Sequence, residues 1–236
     1  GANTHENPFS SLTAEQFGNL SLEAMGGFET EDISSFSPEV WSAMDASQFT
    51  AIPVEAIAGL TSEGFQNLPP EALSQITTDH IRTLLSQGES DPLPTAPAGA
   101  GVGESFTAEH VAALPTEAIA ELSAGFDIHV LGRISDDAFS GFTADQIEAF
   151  HSGIFQTITP EKMANFDPAA MSGFSANDIG MMGAGGIGAN THENPFSSLT
   201  AEQFGNLSLD AMGGFETEDI SSFSPEVWSA MDASQF

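Results

Sequence analysis

Apolar residues along this chain recur at alternating steps of three and five, so the pattern closes on itself every eight residues. Stacked in eights from Thr13, the sequence reads TAEQFGNL, SLEAMGGF, ETEDISSF, SPEVWSAM, DASQFTAI, PVEAIAGL, TSEGFQNL, PPEALSQI and TTDHIRTL, without a gap to Leu84. A second block runs from Thr107 to Met182 and contains one twelve-residue variant, SAGFDIHVLGRI; a third begins at Thr200. Positions 5 and 8 of the octad carry the apolar pairs: Phe17 and Leu20, Met25 and Phe28, Ile33 and Phe36, Trp41 and Met44. An i, i+3 pair faces one side of a short helix. Strands do not fit, because steps of three and five never give the period of two that a half-buried strand needs.

The other positions supply helix boundaries. Position 1 is usually Ser, Thr, Asp or Pro and position 2 often Pro or Ala, as in Ser37-Pro38, Thr159-Pro160 and Asp167-Pro168, which predicts an N-cap followed by a residue tolerated in the first turn. Position 3 is usually acidic, where a negative charge favours the helix dipole. Positions 6 and 7 are small or polar, including Gly18, Gly26, Gly27, Gly59, Gly141 and Gly173, which would let the chain turn and neighbouring backbones approach. One continuous helix is excluded: each octad would advance the apolar face by about 80°, winding it around the rod, and the repeated prolines would break it.

A helix of about six residues is only about 9 Å long and cannot stand alone in water. Each octad must bury its apolar pair against other octads, which predicts an all-α solenoid of short one-to-two-turn helices in tandem modules. The pattern does not set the number of octads per coil. Two per coil, stacked at roughly 9 Å, would make nine octads a rod on the order of 40 Å long.

The predicted organisation is a connector over residues 1–12, a first block over 13–84, a Pro- and Gly-rich linker over 85–106, a second block over 107–182, a Gly-rich linker over 183–199, and the start of a further copy over 200–236. The last part belongs to a longer repeat. Residues Gly1 to Phe49 recur as Gly188 to Phe236 with one difference, Glu23 becoming Asp210, which gives a period of 187 residues. Cores tolerate many hydrophobic swaps, so near-identity over 49 positions points to recent duplication or recombination and to a chain that is just over one period of a longer array.

Charge narrows the partners. Asp and Glu number 34 against three basic residues, Arg82, Arg133 and Lys162, for a formal charge of −31. Nothing is available to neutralise phosphates, so nucleic acid is excluded as a partner. Such a polyanion gains stability from screening ions. Without cysteine there are no disulfides and no thiolate chemistry. No apolar run is long enough to cross a membrane, and the N-terminal Gly-Ala-Asn-Thr-His-Glu has neither the basic nor the apolar part of a signal peptide.

Candidate chemistry is sparse. The G-x-G-x-x-G match from Gly183 to Gly188 follows a helical octad rather than a strand and reads as linker. His80, His110, His129 and His151 are scattered, His5 and His192 are one repeat position, and none sits at metal spacing, so solvent-facing histidine is expected. There is no nucleophile elbow, and acidic pairs such as Glu31 and Asp32 are too common to nominate a general acid and base, so no enzyme is expected. The acidic third position places Glu15, Glu23, Glu31, Glu39, Glu55, Glu63, Glu71 and Asp79 at equivalent sites that a solenoid would array in ladders. A solvated acidic face is the expectation, with weak Ca2+ binding between adjacent carboxylates as the alternative.

The units TAEQFGNL, TAEHVAAL, PTEAIAEL and TADQIEAF resemble the repeats of the form F-T-x-E-Q-I-x-x-L found in very large bacterial surface or secreted proteins, including calcium-rich adhesin-like chains. The resemblance covers both octad blocks and carries over no functional residues. It implies an extracellular or cell-surface array whose repeats act as stalk or fibre. The G-G-x-G-x-D nonapeptides of calcium-binding adhesin repeats are missing. The expected function is therefore a structural tandem repeat that builds a filament, sheath or stalk by self-association. The alternative is the stalk of a calcium-dependent adhesin that contacts cell-surface components through a domain outside this sequence.

Overall fold

The computed structural model describes residues 7–86, 102–124, 131–183 and 194–231. The described residues are helical, in α and 3-10 turns of three to nine residues, with no strand among them. The central parts of the expected linkers, residues 87–101 and 184–193, lie outside the described residues, as do 1–6, 125–130 and 232–236. Most of the G-x-G-x-x-G match, His5, His129 and His192 lie outside them too.

Octads that form an α turn are closed by two backbone bonds, whereas in the 3-10 octads, as at Ala138 on Ser135 and Ala170 on Asp167, position 4 and not position 5 donates to position 1. In the α octads the N–H of position 5 donates to the carbonyl of position 1, as Phe17 does to Thr13 at 2.9 Å, and the N–H of position 8 donates to the carbonyl of position 5, as Leu20 does to Phe17 at 2.9 Å. The second bond pins the two apolar side chains of the pair in one geometry. Where the octad ends in an extended residue, as at Phe150 (φ −69°, ψ 144°) and Ile158 (φ −70°, ψ 124°), the following position 1, His151 or Thr159, is extended as well, and these two residues re-aim the chain. Position 1 caps as expected at Thr13, Ser21, Asp45, Thr61, Thr143, Thr159 and Thr200, whose side chains accept from the first-turn backbone. Ser37 makes no such bond; Pro38 starts that helix instead.

The chain forms two compact units, residues Gly1–Phe106 with Ala113–Ala118, and Thr107–Ala112 with Ile119–Phe236. Within the first unit every octad packs on the third octad after it. Ala14–Gly18 lies on Pro38–Ser42, which lies on Ser62–Gln66; Leu22–Met25 lies on Ala46–Ala51 and then Pro70–Leu73; Thr30–Ile33 lies on Val54–Ile57 and then Thr78–Ser86. The helices thus form three columns, and the chain returns to a column every 24 residues. The number of octads between contacts, left open by the sequence, is three.

The second unit repeats the scheme. Ala108–Ala112, Asp136–Gly141, Pro160–Asn165 and Pro195–Ser198 follow one another in one column; Ala144–Ala149, Pro168–Gly173, Ala201–Gly205 and Pro225–Ala230 in a second; Leu131–Arg133, Ser152–Thr157, Ala176–Gly183 and Leu209–Met212 in the third. Helical turns at Pro8–Ser11, Val102–Ser105 and Pro195–Ser198 also pack in the columns although they lie outside the octad blocks; Asn7 and Asn194 cap the first and third of them, and Val102, Phe106, Phe196 and Leu199 are buried.

Positions 5 and 8 meet between the columns. Edge-to-face rings run through the first unit as Phe17 to Phe36 (5.6 Å between centroids) and Phe28 to Phe36 (5.0 Å), and through the second as Phe155 to Phe174 (5.2 Å) and Phe166 to Phe174 (5.4 Å). This geometry sets the positive edge of one ring against the negative face of the next.

Candidate functional site

With the apolar pair spent on the interior, position 4 decides how one octad holds the next coil. Among the described residues it carries a small or apolar side chain, such as Ala56, Ala72, Ala138, Ala170 or Val40, or a polar one, which is buried at Gln48, His80, His110, Gln146, Lys162, Asp178, Gln203 and Asp219, half-buried at Asp32 and exposed at Gln16. The side chains of His80, Gln146, Gln203 and Asp219 bond in two directions. Gln203 accepts from the Thr200 N–H at 2.9 Å, closing a capping box, while its amide nitrogen donates to the carbonyls of Met163 and Phe166 at 2.8 Å each. Gln146 does the same between Thr143 and Val111. The carbonyls ending a short helix have no partner inside it, so a side chain from a later coil satisfies them. No buried side-chain nitrogen or oxygen among the described residues is left without a partner.

Two histidines expected at the surface belong to this set. His80 and His110 are buried. The His80 Nε2 lies 3.0 Å from the Ile52 carbonyl, which can only accept, so Nε2 carries the proton and Nδ1 accepts from the Thr77 hydroxyl at 2.6 Å. His151 meets the surface expectation and accepts from the Gly153 N–H. Lys162, also at position 4, is a buried cation: its Nζ donates to the Ile134 carbonyl at 2.8 Å and to Asp136 at 2.7 Å, and sits 4.6 Å from the Phe139 ring centroid.

Position 7 brings backbones together. A Cβ on Gly59, Gly141, Gly173 or Gly214 would intrude on the backbone carbonyl of Thr30, Ala108, Ala144 or Ala176, in each case position 2 of the octad three before. None of these glycines has a positive φ, so the residue is used for space and not for a left-handed turn. Gly18 and Gly205, at position 6, have nothing within 4 Å of an added Cβ.

The repeated 49-residue sequence is seen with different sides covered. In the second copy the side toward the preceding octads is closed: Phe196, Gln203, Ala211 and Asp219 are buried, whereas Gln16 and Ala24 are exposed and Phe9 and Asp32 half-buried in the first. The side toward the following octads is closed in the first copy and open in the second. Trp41 is 1% exposed and Trp228 44%; Ile33 is 1% exposed and Ile220 36%. Replacing Gln203 with Leu is expected to cost about 2 kcal/mol, because the Met163 and Phe166 carbonyls stay buried without a donor. The same change at exposed Gln16 should cost no more than about 0.5 kcal/mol. Urea unfolding of the two variants checks this, and equal losses would refute the stacking role of the amide.

The acidic third position lies on the outside. Glu15, Glu23, Glu31, Glu39, Glu55, Glu63, Glu71 and Asp79 are all exposed. The columns sort them: Glu15, Glu39 and Glu63 share one, Glu31, Glu55 and Asp79 another, and Glu23 and Glu71 the third, where Ser47 interrupts the run. Bonds from its own backbone N–H and from Ser37 hold the Glu39 carboxyl below its ordinary value of 4.5, and Glu109 is lowered in the same way by its own N–H and Thr107. These contributions are present above pH 4.5 and are lost as pH falls through the lowered values. No group of three or more His, Asp or Glu able to hold a metal ion occurs among the described residues, and no helix among them is long and apolar enough to cross a membrane.

No protein-family model matches the chain, and no curated protein is significantly similar to it.

Proposed function

We propose that the chain is a structural module: an α-solenoid with three octads per coil, stacked in tandem and by self-association into an extracellular filament, sheath or stalk of a bacterial surface. The observation that carries this reading is the double appearance of one 49-residue sequence, closed on its preceding side in one copy and on its following side in the other. A sequence that can be covered from both sides by the same kind of contact is suited to open-ended addition, in which each unit offers the next an unchanged surface. Its buried polar groups are consumed in holding coils together, which supports a role in architecture rather than chemistry. Resemblance of the octads to the F-T-x-E-Q-I-x-x-L repeats of large surface proteins supports the location.

Negative-stain electron microscopy and sedimentation at rising concentration test the reading. Filaments or a concentration-dependent series of oligomers are expected; monodisperse particles at every concentration and salt would refute it. The surface charge adds a second expectation. Raising NaCl from about 10 mM to about 500 mM shortens the Debye length from about 30 Å to under about 5 Å and should raise the melting temperature by about 5 °C. CaCl2 at matched ionic strength should do no more than NaCl, because among the described residues the carboxylates are not gathered into groups of three or more able to hold a metal ion. A rise confined to calcium and reversed by chelator would favour a calcium-dependent stalk instead.

A further inference from the structure

We propose that the boundary between successive 187-residue copies is a fixed joint, clasped by Asp219, so that residues 160–183 and residues 194–219 of the following copy move as one body. The Gly-rich sequence over 183–199 predicts a flexible connection there. Asp219 overrides it. Its side chain is buried, with 0% of the residue exposed. One carboxylate oxygen accepts from the Glu216 N–H at 2.9 Å and closes the capping box of its own turn, while the other accepts from the Asn194 amide at 2.8 Å. The same carboxyl group fills the place of a side chain on Gly183: a Cβ there would stand 2.7 Å from the Asp219 Cγ, with both oxygens nearer still. One side chain therefore holds both flanks of the boundary. Gly183 ends the last helix of the second block, and Asn194 caps the first turn of the next copy, its Oδ1 accepting from the Phe196 N–H at 2.9 Å.

The last helix of the second block, Ala176–Gly183, is met by the next copy along its whole length. At its start the Ala176 N–H donates to Asp210 at 3.2 Å; Gly214 lies against the Ala176 carbonyl and the Ile179 side chain; Gly183 meets Asp219 at its end. Asp210 is the one position at which the two copies differ, and it lies in this joint. Alongside, Pro195–Ser198 packs on Pro160–Asn165, and Gln203 donates to the Met163 and Phe166 carbonyls. Turning one side of the boundary against the other would break several of these bonds together and leave buried acceptors unpaired. In the first copy Asn7 donates to Asp32 at 2.8 Å, so the asparagine half of the clasp belongs to the 49-residue sequence. The glycine half is supplied by the second block. The inference rests on the 187-residue period and not on self-association.

The full chain has no cysteine, so pairs of nitroxide labels can be placed on introduced cysteines and their separation read by double electron–electron resonance. Exposed third-position acids supply a boundary pair, Asp145→Cys with Glu202→Cys, two coils apart in one column. They also supply a pair inside the second block, Glu109→Cys with Glu161→Cys, again two coils apart. The boundary pair should give a distance distribution as narrow as the inner pair. Asp219→Ala and Gly183→Val should each widen the boundary distribution about twofold and leave the inner one unchanged. A boundary distribution wider than the inner one without either substitution, or one that neither substitution widens, overturns the proposal. If Asp219→Ala widens both pairs, Asn194→Ala decides by the same comparison, because it removes hydrogen bonds and no apolar packing. A wide boundary beside filaments would sink this inference and leave the assembly reading standing; a narrow one without filaments would do the reverse.

Discussion

Truncating Trp41 to alanine is expected to cost the fold about 3–5 kcal/mol, and truncating Trp228, the same position of the repeat, under about 1 kcal/mol. The two residues share their flanking sequence over the whole of the 49-residue repeat apart from one distant carboxylate. Their surroundings differ. Trp41 is 1% exposed, stands 5.5 Å from the Phe36 ring and is roofed by Gly64, so its removal opens a cavity that helices on both sides are held too firmly to fill. Trp228 keeps the homologous ring contact, with Phe223 at 6.0 Å, but is 44% exposed. Guanidinium unfolding followed by far-UV circular dichroism, which does not need the indole signal, measures both. Equal losses at the two positions would show that the covering helices contribute nothing.

A valine at Gly141 is expected to destabilise by about 3 kcal/mol or more, because the added carbon meets backbone and not a side chain that can swing away. The Cβ would lie 2.7 Å from the Ala108 Cα, with the Ala108 carbonyl nearer still, and relief requires parting two coils along their length. Alanine at Gly18 is the control. Nothing stands within 4 Å of its Cβ, and the gain in helix propensity and the loss of unfolded-state freedom should stabilise by about 0.5 kcal/mol. Thermal unfolding of the pair separates the two uses of glycine. A tolerated valine at Gly141 would mean that the coils are not in backbone contact there.

These two cases mark how far the octad pattern reaches. Caps at Thr13, Thr143 and Thr200 and the exposed acid at position 3 were legible because each is satisfied within four residues of chain, and the buried pairs at positions 5 and 8 because their spacing puts them on one side of a turn. The glycines at position 7 were legible as close approaches, though not as a set apart from Gly18, which approaches nothing. Position 4 was not read at all. Its signal was present: the site alternates between small or apolar residues and Gln, His, Asp or Lys, a mixture that an exposed site has no reason to keep. Without knowing which carbonyls stood opposite, His80 and His110 looked like surface residues, and Lys162 entered only the charge count.

The sequence by itself determined that the chain is helical, where the turns inside the octad blocks fall, and which two side chains per octad must leave water, since these follow from hydrogen bonds and spacings inside eight residues; the turns at Pro8–Ser11, Val102–Ser105 and Pro195–Ser198, within the expected connectors, were not legible. The tertiary structure alone decided that the chain returns to a column after three octads, because that depends on how the chain is re-aimed between octads, as by the extended pairs Phe150–His151 and Ile158–Thr159, to which the hydrophobic period is blind. It also decided that one sequence has two burial patterns. Burial in a stacked repeat is a property of the neighbour 24 residues away, and Trp41 has that neighbour over it while Trp228 faces solvent.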